Sequence, residues 1–370
     1  MRGRLVSLNE LSKRDIEAWS ELAGRALEPN PFFEPGYVLP LARGLGQQAA
    51  VRLAIAEDRD GWQGCLPIAT GRWHRIPLPA VAGWRGHKLY GLLGTPLVGR
   101  EHSGAVLAGL IATTLNGQRS CFGALEWVTS DGAVAAALDE VLAARERAPI
   151  RFERFERAML RRRVRPDYLE QTLSSKHRRE LRRQRRKLGE ALQSDPCTVD
   201  RAGEAAAVDE LISLEAAAKG ARGTVLAAAA GHVLFFREMC RNFAAQGRLQ
   251  LLSFGTPERP LAMKCNLRAG DGLFMFKIAY DEQFAGFSPG IQLEVDMVGL
   301  FHEASDAGFM DSCADPNNAM INRLWADRRP LVTHVLRRAG AADHLTTPMV
   351  LAARSLRERN SRRKAHDTVA

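Results

Sequence analysis

Between Asp15 and Leu27 the apolar residues Ile16, Trp19, Leu22, Ala23 and Ala26 recur at three- and four-residue steps, the period of one helical face, and Ser12 stands where a cap is needed. That spacing predicts a helix, which the proline-rich EPNPFFEP stops. A second helix is expected from Tyr37 to Leu45. AVRLAIAED and Gly64 to Thr70, joined by a turn at Arg59 to Gly61, predict an antiparallel hairpin. Residues 71 to 104 carry clusters of Gly, Pro and Trp and read as a loop-rich connection. Gly104 to Leu115 then predicts a helix, Leu125 to Thr129 a short strand, and Gly132 to Ala144 another helix.

From Tyr168 to Leu192 the residues Leu169, Leu173, Leu181, Leu188 and Leu192 lie on a helical repeat, with Arg and Lys filling many of the other positions. One long basic helix is expected there. Ala205 to Ala217 and Gly231 to Gln246 predict helices. Three strands follow, Leu249 to Phe254, Leu261 to Leu267 and Leu273 to Tyr280, and the short turns between them require antiparallel pairing. A helix from Ile291 to Ala307, a strand at Phe309 to Ser312, a short helix from Asn318 to Trp325 and a strand at Leu331 to Arg337 complete the pattern. After Ser355 the sequence RERNSRRKAHDTVA reads as a frayed basic tail.

The length of 370 residues suits two cores of ordinary size. The formal net charge of +10 is concentrated: Arg151 to Lys187 holds 15 Lys/Arg against 5 Asp/Glu. Six cysteines, Cys65, Cys121, Cys197, Cys240, Cys265 and Cys313, lack the spacing of a zinc site, so no metal is expected. No apolar run approaches the roughly 20 residues that span a bilayer, and no secretory leader is visible. A cytoplasmic protein without membrane insertion is expected.

The chemistry concentrates in LFMFKIAYDEQFAGFSPGIQLEVDMV, a strand, a Gly/Pro turn and a helix start. Amides between Ala285 and Ile291 would lack intrahelical partners, and the helix dipole would favour an anion such as a pyrophosphate there. Gln283, Gly286 and Ser288 fit Q/R-x-x-G-x-G/A, with Ser288 in place of the last small residue, and Gly290 and Ile291 open the helix. Gly286, Ser288 and Gly290 also spell G-x-S-x-G, a hydrolase elbow. That reading fails on Pro289, which has no N–H for an oxyanion hole, and on the antiparallel strand before it.

Ser174 to Trp325 resembles the GNAT domain of CelD-like, BioF2-like acetyltransferases, on SSKHRRELRRQRRKLGE, LEAAAKGARGT, FKIAYDEQFAGFSPG and DSCADPNNAMINRLW. NPFFEPGYVLPLA and LLGTPLV resemble the front half of the same group. This family is related to the FemABX peptidyltransferases, which pair two GNAT-like folds. The resemblance implies an α/β fold of two GNAT-like halves with mixed, mostly antiparallel sheets: residues 1–150 a degenerate half, 151–192 a basic linker and helix, 193–340 the acyltransferase half, 341–370 a helix and basic tail.

It further implies transfer of an acyl group from acetyl-CoA or another acyl-CoA to an amine, on a small molecule or a glycan. Gln283 to Gly290 would hold the pyrophosphate, and the strand edge from Lys277 through Ile278 and Ala279 to Tyr280 would pair with the pantetheine arm. Asp281 and Glu215 are the expected bases, directly or through water, and Tyr280 the proton donor to the thiolate. Lys219, Lys277, Asp311 and Asn322 are candidate substrate contacts. Similar sequences carry Trp where LEAAAKG has Ala before Lys219. Bland readings stand beside these: Asp281 as a turn carboxylate, Lys277 snorkelling to the surface, Asp311 capping a turn or holding Asn322, the basic helix as a solvated face. The sharp reading of that helix is polyanion binding. With no aromatic between Ser174 and Leu192 to stack a base, nucleic acid other than tRNA is not expected. Two further functions remain open, a FemABX-like transferase using aminoacyl-tRNA and a catalytically inactive GNAT scaffold that binds a partner.

Overall fold

The computed structural model describes residues 1–74, 76–86, 89–117, 119–163, 167–218, 226–338 and 342–367. Its strands are β1 (Arg2–Ser7), β2 (Val51–Asp58), β3 (Gly61–Trp73), β4 (Ile76–Gly83), β5 (Leu97–Val98), β6 (Phe122–Thr129), β7 (Ile150–Arg161), β8 (Cys197–Asp200), β9 (Leu249–Thr256), β10 (Arg259–Ala269), β11 (Gly272–Tyr280), β12 (Phe309–Asp311) and β13 (Asp327–Arg337). Contacts group the chain into two units that interleave in sequence. Met1–Pro35, Gln47–Phe155 and Pro330–Ala370 form the first, Gly36–Gly46 and Glu156–Arg329 the second.

Both units follow one plan. In the first, β1, β2, β3 and β4 are antiparallel neighbours, β6 joins β4 in parallel, and β13 pairs antiparallel with β6. In the second, β8, β9, β10 and β11 are antiparallel neighbours, β12 joins β11 in parallel, and β7 pairs antiparallel with β12. A helix precedes the parallel strand each time, Ser103–Asn116 before β6 and Pro289–Glu303 before β12. Sheets are therefore mixed and mostly antiparallel, in an α/β arrangement. In each unit the strand that pairs with the parallel one comes from elsewhere in the chain: β7 precedes the bulk of the second unit, and β13 follows it.

Local chemistry sets most elements. Ser12 and Asp15 form a reciprocal capping box at Lys13–Gly24, whose Trp19 and Leu22 are fully buried. In the second unit the helix Pro289–Glu303 lays Leu293, Met297, Val298 and Phe301 on the sheet, each worth about 1.5–3 kcal/mol of apolar burial. The helix Pro35–Gly44 meets the start of Ala230–Ala244 so closely that a Cβ on Gly44 would lie 2.3 Å from the Gly231 carbonyl oxygen. Only glycine fits that approach.

Four expectations need correction. The expected loop at 71–104 contains β4, whose Pro77 and Pro79 precede Ala80, where pairing with β6 begins; their missing N–H groups fall outside that ladder. The start of the basic segment is the strand β7. The long basic helix is two, Tyr168–Thr172 and Ser175–Leu192, because Ser174 turns out of the first and its hydroxyl caps the second by accepting from the His177 amide. After Ser355 the backbone stays helical, within Ala342–Asp367. No helix among the described residues is long and apolar enough to cross a membrane.

Candidate active site

The site grows from β11. Pairing with β12 covers only Gly272, Phe274 and the residue between them, so from Met275 onward the strand leaves β12 while staying hydrogen-bonded to β10. Opposite Cys265 and Asn266 stand Lys277 and Met275, which makes Phe276 the extra residue of a β-bulge. The bulge puts consecutive side chains on one side. Phe276 packs on Phe235, Phe236 and Tyr37, and Lys277 on the same side reaches Glu215 of the helix Ala205–Ala217.

Glu215 is buried, its Oε1 ion-paired with Lys277 and its Oε2 accepting the Leu226 amide at 2.7 Å. It clamps two segments. Asp281 N-caps the short 3-10 segment Glu282–Phe287: its Oδ1 accepts from the Gln283 amide at 3.0 Å and its Oδ2 from Arg259 at 2.9 Å. Both carboxylates thus hold structure, and each oxygen keeps a second lone pair for a substrate or water. Tyr280 is 41% exposed at the strand end, with its ring 3.4 Å from where a Cβ on Gly290 would lie. Ile278 faces the core cluster, and Ala279 is buried.

Beyond Asp281 the turn is more self-satisfied than the sequence suggests. The Ser288 amide donates to the Ala285 carbonyl, and Ile291 and Gln292 both donate to the Ser288 carbonyl. Ser288 sits in the left-handed region at φ 53°, which lets its carbonyl serve both. The expected row of free amides from Ala285 to Ile291 is therefore shortened. Gly286 is exposed with no heavy atom within 4 Å of an added Cβ, while Phe284, Phe287 and Ile291 anchor the turn in the core.

The basic helix Ser175–Leu192 runs beside Pro289–Glu303 in parallel register: Gln292 donates to the Leu181 carbonyl at 2.9 Å and Arg185 pairs with Asp296. Both helices therefore begin at the Tyr280 end of β11. Leu181 and Leu188 are buried, Arg183 and Arg186 pair within the helix, and Lys176, Arg179, Arg182 and Lys187 are exposed.

The remaining candidates separate. Asp311 is fully buried between Arg157 at 2.7 Å and Arg329 at 2.9 Å, and also accepts the Cys313 amide. Burial opposes its charge, yet the two guanidinia hold its carboxyl below the usual range. Asn322 does not touch it and donates instead to the Pro316 carbonyl at 2.7 Å. Lys219 lies outside the described residues.

Sequence reading missed a buried pair, Lys264 of β10 with Glu294 of the helix Pro289–Glu303, at 2.7 and 2.8 Å and both fully buried. The Lys264 ammonium stands 5.2 Å from the Trp325 ring centroid. Burial lowers the Lys264 pKa, against the pull of Glu294. A lone Lys in LAMKCNL and a lone Glu in IQLEV were the available signals. A cavity of about 350 Å³ in this unit lies at the other end of β11, lined by Arg248, Gln250, Leu273, Met297 and Phe301, and is no part of the site. Among the described residues no group of three or more His, Cys, Asp or Glu could hold a metal ion.

Residues 175–310 match the family model of the acetyltransferase (GNAT) domain. In fold the chain is similar to FemX, at 10% identity and TM-score 0.55 over 91% of this chain and 98% of that one. It is also similar to a conserved protein of unknown function from Bacteroides thetaiotaomicron, at 12% identity and TM-score 0.56 over 89% and 98% of the two chains. A third likeness is to L-PGS from Bacillus licheniformis, at 11% identity and TM-score 0.50 over 93% and 96%. No curated protein matches the sequence. The matched segment contains β11, the turn and both parallel helices, so the site lies within the residues that match the acetyltransferase (GNAT) domain model.

Proposed function

We propose that this protein transfers an acyl group from acetyl-CoA or a longer acyl-CoA to an amine, as in CelD-like and BioF2-like acetyltransferases, on a small-molecule or glycan-linked acceptor. One observation carries the reading: β11 parts from β12 after Phe274 and runs, bulged at Phe276, into a capped turn and a helix start within the GNAT-matched segment. The parted edge from Lys277 to Tyr280 leaves backbone groups for the pantetheine amides, and the open space at Gly286 admits a phosphate beside the helix start. In the transfer, the amine nitrogen attacks the thioester carbonyl, the C–S bond breaks, Tyr280 protonates the departing thiolate, and the second proton that the nitrogen sheds on becoming an amide restores the phenol. Asp281 takes the ammonium proton, directly or through a water, because Glu215 is buried and committed to Lys277.

Calorimetric titration of acetyl-CoA and longer acyl-CoAs tests the donor. The wild type should bind saturably, and Gly286→Glu, which has room to fold, should weaken binding at least about tenfold by placing a carboxylate where the phosphates bind. Absence of binding by folded wild type would remove the acyl-CoA reading. The engagement of every carboxylate oxygen of Asp281 and Glu215 favours a second reading, an inactive scaffold that holds CoA or a partner. Donor binding without acyl loss across a panel of amines would select it.

A further inference from the structure

The first unit holds a separate cavity of about 180 Å³, lined by the end of β6, the helix Ala133–Ala143, β7 and β13. Its charges are complementary and do not meet. Arg151, Arg154 and Asp139 all line it, yet none of the three is in an ion pair among the described residues. On its wall His334 is only 4% exposed, and its Nδ1 has no hydrogen-bond partner among the described residues. The Ser130 hydroxyl, also lining the cavity, is buried in the same condition. Leu138 supplies an apolar side.

Opposite charges that line one cavity without pairing leave a place for a ligand to bridge them, whereas the two orphaned atoms beside them are closed to solvent and take no part. Drug-sized ligands occupy roughly 300–1,000 Å³, so the occupant is smaller. Burial pushes His334 down to about 4, so near neutral pH the ring adds no charge. The charged walls then call for a molecule bearing both signs.

We propose that this cavity binds a free α-amino acid, its carboxylate held by Arg151 and Arg154 and its ammonium by Asp139. The binding is non-covalent and does not depend on the acyl-transfer reading. Paired carboxylate and ammonium on one carbon set the ligand apart from a simple anion, which would leave Asp139 repelling it. A peptide is disfavoured by the cavity's size.

The test is thermal unfolding of the full-length protein with each proteinogenic L-amino acid at millimolar concentration, and with propionate and ethylamine as single-charge counterparts of alanine. At least one amino acid should raise the midpoint saturably and neither counterpart should. Asp139→Asn and Arg154→Ala replace exposed side chains, so both should fold, and each should weaken binding about tenfold or more. The proposal is overturned if no amino acid shifts the midpoint, if propionate matches the amino acids, or if both variants bind as the wild type does.

Discussion

Single side chains carry the sharpest expectations. Asp281→Asn keeps an oxygen to cap the Gln283 amide but cannot take a proton at neutral pH, so kcat should fall about 10²–10⁴-fold while the thermal midpoint barely moves. Steady-state kinetics beside a melt reads both, and unchanged kcat would leave Asp281 as a cap alone. Glu294→Gln strips the buried Lys264 ammonium of its counter-charge and should cost about 3–5 kcal/mol in denaturant unfolding. The double change Lys264→Met with Glu294→Leu removes both charges and should recover most of that loss. His334 gives a pH signature. Its folded value of about 4 lies below the ordinary 6.5 or so, so the unfolded chain binds the proton first. Stability is therefore lost as pH falls from about 6.5 to about 4, by up to about 3 kcal/mol. His334→Asn should flatten unfolding curves across that window. At this scale the sequence exposed the turn carboxylate and the glycines, because their roles are local. It could not expose that Arg157, counted within a basic run, is a core residue, since its partner Asp311 lies 154 positions away.

Elements were legible where their signals are short-range. The helices Lys13–Gly24, Ala205–Ala217 and Ala230–Ala244 and the run β9 to β11 follow from periodicity, caps and turns. β4, β7 and β8 did not. Two prolines disguise the first, a run of arginines the second, and the four-residue third is held by pairing with β9. The break before Ser175 was missed because leucine spacing passes through it, although Ser174 is a strong cap. Ser174→Ala should cost about 1 kcal/mol, read as a lowered denaturation midpoint at constant slope. The bulge at Phe276 left no sequence mark either, as it is defined only against Cys265 and Asn266 on the neighbouring strand.

For the molecule as a whole, two repeats of one plan can be sensed in the sequence as alternating helices and strands, but the exchange of their last strands cannot. Strand partners so distant in sequence leave no local pattern. The exchange sets what can fold. A fragment of residues 193–340 lacks Met159–Arg161 beside β12 and lacks Arg157, leaving Asp311 buried with Arg329 alone. A fragment of residues 1–150 lacks β13 beside β6. Neither should give a cooperative melt, whereas the full chain should; a sharp transition from either fragment would show that its last strand is dispensable. The same exchange bears on synthesis. β6 is made early, but its antiparallel neighbour leaves the ribosome only after residues 156–329 have been translated, a delay of roughly 10–35 s at 5–20 residues per second. Throughout that interval the edge of β6 is open to any passing strand, including one from a neighbouring nascent copy on the same message. Slower translation of the second unit should therefore lower the yield of a first unit whose own codons are untouched.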